Sequence, residues 1–218
     1  MKKRNIGRSV VIILLMKWIK CQVNEENKRS FSKAQEGWGE LRHCAGFIGQ
    51  IGGWNRNEPC EAGILSVWKD LHCHQRFMQH QHDEIFAKCD QGSTYTNISV
   101  DIFESISNIG TTDIRDFVDK GKLLRVAECS VENVKRDRFE QVLKDAGNRG
   151  MIPGMLSGAF GKRQNGRYMA ASLWDNEDSH QRYADKELPA LINESGVKDS
   201  AQPISVSLME LHPKWAVI

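Results

Sequence analysis

Apolar positions alternate with a period of two over Met16–Val23, with Ile19, Cys21 and Val23 on one face and Trp18, Lys20 and Gln22 on the other. Alternation of this kind is the pattern of a strand. From Glu26 to Leu41 the spacing changes. Phe31, Ala34, Gln35 and Trp38 recur at helical intervals and predict a helix. Gly46–Ile51 and Glu61–Trp68 read as strands joined by the turn-rich stretch Gly52–Pro59. Asp70 is a capping residue ahead of a helix from Leu71 to about Phe86. Tyr95–Phe103, rich in β-branched and aromatic residues, closes the unit as a strand. The order is strand, helix, strand, strand, helix, strand.

The same order recurs. Leu123–Val131 predicts a strand, Val134–Asn148 a helix, Met155–Gly161 and Tyr168–Trp174 two strands, Glu177–Ile192 a helix and Ile204–Leu211 a last strand. Individual residues echo as well. Trp68, His74-Gln75-Arg76 and Phe77 reappear 106 positions later as Trp174, His180-Gln181-Arg182 and Tyr183. Cys21, Phe31 and Gly46 meet Cys129, Phe139 and Gly154 at an offset of 108. Solenoid units repeat every ~20–50 residues, so this longer period marks a duplicated domain. The chain divides into an N-terminal extension (1–15), a first repeat (16–106), a linker (107–122) and a second repeat (123–218). The linker carries Gly110, Thr111, Thr112 and Gly121, with a short helical turn expected around Ile114–Val118.

Each βαββαβ unit is a ferredoxin-like arrangement, whose sheet has helices on one face only. The bare face must be covered. Two tandem units satisfy each other by pressing those faces together. The expected class is therefore α+β: two ferredoxin-like repeats forming an intrachain pseudo-dimeric α/β barrel around a shared chamber, monomeric or weakly dimeric as a chain.

Composition narrows the partners. In 218 residues, 30 Lys+Arg against 28 Asp+Glu leave a formal charge of +2, with no basic stripe, so nucleic acid is not the expected partner. The six cysteines form no CxxC pair, which suits a reducing cytoplasm. The basic start Met1-Lys2-Lys3-Arg4 and the apolar run Val10–Leu15 imitate a secretory leader. The run breaks at Lys17, lacks a small-residue cleavage site and is too short to cross a bilayer. It reads as an extension leading into the first strand, with no membrane partner.

The candidate chemistry is sparse. His72, His74, His80 and His82 cluster, but no His-x-x-x-His pair exists, and His80 with Glu84 supplies two ligands where zinc normally takes at least three. No metal is expected. On a continuous helix His74 shares a stripe with Phe77, Met78, Gln81 and Ile85, while His72, His80 and His82 point elsewhere. His74 is thus the acid–base candidate, with His180 as its counterpart; a shared packing role explains the pair equally. The turn Gly52-Gly53-Trp54-Asn55 has no match in the second repeat: either Trp54 and Asn55 cover the mouth of a cavity in one half only, or the turn is an ordinary hairpin with an exposed indole. Lys20 aligns with Glu128 and Glu61 with Arg167, so these charges pair across the space between the sheets, grip a polar ligand, or sit at sheet edges in water. Trp68 offers a broad apolar wall.

The duplication, Gly46-Phe47-Ile48-Gly49, and Ser66–Asp70 followed by Arg76–His80 resemble the dimeric α/β-barrel superfamily of antibiotic-biosynthesis and haem-degrading monooxygenases. The first half is similar to the uncharacterised YdbC-like bacterial family, through Lys17-Trp18-Ile19-Lys20-Cys21, Phe47–Trp54, Glu58–Ala62 and His82–Phe86. The haem-degrading branch fits poorly. Its catalytic tryptophan falls on Phe77, its haem-ligating histidine near Ala87 and Lys88, and its first-strand asparagine near Lys20 or Cys21. Haem is disfavoured and no cofactor is expected. The resemblance implies a small-molecule protein, in the first instance a cofactor-independent monooxygenase of an aromatic or polyketide-like substrate. The alternatives are a non-enzymatic ligand-binding or stress-related barrel, and an isomerase or lyase of the same fold.

Overall fold

A computed structural model describes residues 13–110, 114–196 and 204–218. Most of the N-terminal extension and the linker residues Thr111 and Thr112 lie outside the described residues. The first repeat contains β1 (Leu15–Gln22), α1 (Lys28–Glu36), β2 (Phe47–Asn55), β3 (Glu61–Trp68), α2 (Leu71–His80), α3 (His82–Cys89) and β4 (Asn97–Ile109). The second contains β5 (Leu123–Ser130), α4 (Arg136–Asn148), β6 (Met155–Lys162), β7 (Arg167–Trp174), α5 (Glu177–Lys186), α6 (Leu188–Ser195) and β8 (Ser205–Leu211). The eight strands close into a barrel in the order β1-β3-β2-β8-β5-β7-β6-β4, antiparallel throughout. The seams between repeats are β2 with β8 and β4 with β6.

The two repeats share their local devices. Asp70 accepts a hydrogen bond from the Cys73 amide at 2.7 Å, and Asn176 from the Ser179 amide at 2.8 Å, each capping a helix. Gly46 and Gly154 have φ of 80° and 84°. A β-carbon on either would strike Cys73 Sγ (2.4 Å) or Ser179 Oγ (2.2 Å), so only glycine admits the capped turn.

Each second helix, expected to be continuous, is broken. In the second repeat Pro189 opens α6 and lacks the N–H that a continuing helix requires. In the first the break falls at Gln81 (φ −130°, ψ −27°), which resets the helical phase and turns His82 inward, where an unbroken helix would point it away. β4 is longer than its β-branched core predicted, because its last residues, Glu104–Ile109, pair with β6.

The expected shared chamber is instead a core. Trp18, Met16, Phe103, Met169, Leu124 and Met209, all at most 2% exposed, meet inside the barrel. Gly63 makes the space: a β-carbon there would lie 2.5 Å from both the Trp18 ring and the Met209 methyl. Eight strands leave a lumen just wide enough for side chains to fill. Ile114 and Phe117 of the linker turn join the cluster, beside a residual void of about 60 Å³. The chain's last residues return to the first repeat, where Trp215 is fully buried against Phe31 and Trp54.

Candidate functional site

A partly open, mostly apolar pocket lies on the outer face of the sheet, under the helices of the first repeat. It measures about 410 Å³. Its floor follows from strand alternation: Lys17, Ile19 and Cys21 of β1 point outward with Ile64, Ser66 and Trp68 of β3. Phe77, His74 and Met78 of α2, His82 and Phe86 of α3, and Trp38 form the roof.

One wall is fixed by hydrogen bonds. Trp38 Nε1 donates to Gln91 Oε1 at 2.7 Å, and Gln91 Nε2 donates to Gln35 Oε1 at 2.9 Å. Trp68 donates to Ser66 Oγ at 3.3 Å and stacks on Phe77 at 4.8 Å. His74 stands edge-on to Trp68 at 5.5 Å. Its Nε2 is buried and has no hydrogen-bond partner. Burial, helped by the nearby Lys17 and His82, lowers its pKa to about 4, so His74 is neutral at physiological pH.

Lys17 is the group that sequence reasoning missed. It is 8% exposed, yet among the described residues no Asp or Glu lines the pocket around it. Among the described residues its ammonium donates only to Met78 Sδ, at 3.9 Å, and lies 6.0 Å from the centre of the Phe77 ring. Burial lowers its pKa to about 8. The signal was present: Lys17 has the parity of Ile19, Cys21 and Val23, and an offset of 108 puts it on Arg125.

The other expected site residues separate. Trp68 and His74 meet in the pocket, but Trp54, Asn55, Lys20, Glu61 and His180 do not line it. Trp54 packs on Phe31 and Trp215, with Lys28 Nζ 4.9 Å from its ring. Asn55, 2% exposed, donates to Glu61 Oε1 at 2.8 Å. Glu61 does not face Arg167; its further partner is Ser207, at 3.4 Å. Lys20 does meet Glu128 across the lumen, at 3.4 Å. Arg167 reaches Glu128 and Asp101, both at 2.7 Å, and Arg163 also binds Asp101. These charges form an ion-pair network at one end of the barrel.

The second repeat keeps the frame without the space. Trp174 donates to Ser172 Oγ at 2.9 Å, and His180 stands edge-on to it at 5.6 Å, with Nε2 again unpartnered. Arg125 replaces Lys17, Tyr183 replaces Phe77, and Leu188, Leu191 and Ile192 of α6 fill the gap down to about 80 Å³. Among the described residues no group of three or more His, Cys, Asp or Glu side chains is placed to hold a metal. None of the described helices is long and apolar enough to cross a membrane.

The family model described as a domain of unknown function (DUF4937) matches residues 15–103. Over 93 residues the chain is 39% identical to the uncharacterized protein YdbC of Bacillus subtilis (strain 168), covering 42% of this chain and 78% of that protein. A candidate monooxygenase from Lactobacillus acidophilus superposes over 94% of this chain and 96% of its own, with a TM-score of 0.72 at 11% identity. A candidate monooxygenase from Fusobacterium nucleatum covers 93% and 94%, at 0.74 and 12%. An anthrone oxidase-like protein covers 92% of each chain, at 0.66 and 12%. These structures span both repeats and establish the fold alone.

Proposed function

Given that the chain belongs, through its first repeat, to the DUF4937 family of YdbC-like proteins, we propose that the first-repeat pocket is the active site of a cofactor-independent, monooxygenase-like enzyme. Its substrate is an aromatic or polyketide-like molecule with an acidified C–H bond. The carrying observation is a buried amine without a carboxylate partner in an otherwise largely apolar pocket of about 410 Å³. The monooxygenase and anthrone oxidase-like names of proteins sharing the fold support the same chemistry.

Lys17 carries proton transfer, since its pKa of about 8 is better matched to neutral pH than that of His74 at about 4. The neutral amine takes a proton from the activated methylene carbon of the substrate. The resulting carbanion, stabilised by the new ammonium, reduces dioxygen and forms a C–O bond. Lys17 returns its proton to the hydroperoxide and removes the second C–H proton. The O–O bond then breaks, and the departing hydroxide recovers that proton as water. In sum, one methylene group and one dioxygen molecule give one ketone carbonyl and one water. His74 and Trp68 position the α2 wall, and the apolar walls exclude water. The chain acts as a monomer or weak dimer in the cytoplasm, in keeping with its six free thiols.

The test is oxygen uptake with anthrone as probe. The wild type is expected to consume oxygen equimolar with quinone formed, and Lys17→Met to lose at least a hundredfold in rate while keeping its circular dichroism. Anthrone binding with no oxygen uptake above the uncatalysed rate would instead establish a non-enzymatic binding protein.

A further inference from the structure

We infer that the first-repeat pocket is built for an elongated amphipathic organic anion, its negatively charged head on Lys17 and its apolar body along the β1/β4 ladder toward Ile98. This deepens the reading of the same pocket, but it requires only binding, not oxidation.

Two independent observations carry it. The first is charge. Lys17 is more than nine-tenths buried, lines the pocket, and has no acidic partner there. A buried ammonium that, among the described residues, meets only a thioether and a ring face lacks compensation that a carboxylate, phenolate or enolate supplies.

The second is the direction of the apolar surface. In the register of β1 and β4, Lys17 pairs with Ile102, Ile19 with Val100 and Cys21 with Ile98. At about 3.3 Å per residue, Val100 and Ile98 lie about 7 and about 13 Å along the strand from the level of Lys17. Val100 and Ile98 are each 44% exposed, and Met78 38%, although all three line the pocket. The pocket thus opens along an apolar track that starts at a cation. A compact ligand leaves that track in water; one with a tail covers it.

Binding of such an anion is linked to protonation. Burial holds Lys17 at about 8 in the empty pocket, and an arriving negative charge raises it again. Above that pH the complex takes up a proton.

The experiment is titration calorimetry of the full chain with benzoate and with arylalkanoates of increasing chain length, each beside the primary alcohol of the same skeleton. In the wild type each acid is expected to bind at least tenfold more tightly than its alcohol, with affinity rising along the series. Above pH 8 the heats in buffers of different ionisation enthalpy report proton uptake. Lys17→Met is expected to abolish both the tenfold gap and the uptake; Lys17→Arg keeps the gap. Val100→Asp is expected to weaken the longer acids by at least tenfold and benzoate by less than twofold. Alcohols binding as tightly as acids, or a gap that survives Lys17→Met, overturns the charged head. Affinity flat with length overturns the track. Oxygen uptake measured on the same samples separates the two proposals: acid-selective binding without uptake removes the oxidation and leaves this inference standing.

Discussion

Lys17 donates to Met78 Sδ at 3.9 Å and to no oxygen acceptor among the described residues, so the pocket's fixed charge is left without compensation. That arrangement costs stability. The Lys17 pKa is about 8 in the folded chain against 10.5 for an ordinary lysine, so between these values the unfolded chain holds a proton that the folded chain has released. Below pH 8 both states hold the proton and a constant penalty of roughly 3 kcal/mol remains; as pH climbs from about 8 toward 10.5 the folded chain sheds the proton and that penalty is progressively relieved. Because the unfolded chain binds more protons across this window, stability rises with pH there. Lys17→Met is expected to stabilise the protein by ~1–3 kcal/mol at pH 7 and to flatten the rise above pH 8. Urea unfolding at both pH values checks this; a less stable variant would show that Lys17 has a compensating partner.

His74 predicts the opposite end of the pH scale. Its pKa falls from 6.5 to about 4 on folding, chiefly through burial. The unfolded chain takes the proton first, so stability declines as pH drops from about 6.5 toward about 4 and this contribution levels off below. His180 shifts in the same direction, again mainly by burial. His74→Phe, which keeps an aromatic edge against Trp68, is expected to recover ~1–3 kcal/mol at pH 4.5 relative to wild type and little at pH 7.5. Parallel acid sensitivity in variant and wild type would assign the effect elsewhere.

The second repeat predicts an asymmetry of function. Its pocket is about 80 Å³, closed by Leu188, Leu191 and Ile192, and its Arg125 sits where the first repeat has Lys17. Arg125→Met is expected to leave anthrone oxidation and carboxylate affinity within twofold of wild type, while Lys17→Met abolishes the first and removes the acid preference of the second. Equal losses from both variants would establish two working sites.

The duplication was legible because it repeats residues that geometry constrains tightly. Gly46 and Gly154 each stand where no β-carbon fits, and Trp68 and Trp174 each anchor a histidine edge. Trp68 and His74, both candidates by sequence, stand edge-on to each other in one pocket. The pocket's position was not legible, since alternation tells which residues share a face but not which face is filled. Trp18 and Met209 fill the inner side, and the free volume falls on the outer one. Lys17 was overlooked because a lysine beside apolar neighbours reads as solvent-facing until the helix above it is seen. His82 was misdirected by the break at Gln81, a residue with no helix-breaking signature.

The barrel's polar end gives a last prediction. Arg167 on β7 binds Asp101 on β4 and Glu128 on β5, both at 2.7 Å, so one side chain ties the first repeat to the second. Its two carboxylate partners are 8% and 7% exposed and would be poorly solvated without it, although Arg163 and Lys20 remain beside them. Arg167 is itself about a third exposed, which screens the interaction. Arg167→Met is therefore expected to cost ~1–3 kcal/mol, below the range for breaking a fully buried pair. Asp101→Asn in the same background should cost less than it does alone, with a coupling of about 1 kcal/mol in a double-mutant cycle. Additive effects of the two substitutions would show that the network is a surface feature and that the packed lumen alone joins the repeats.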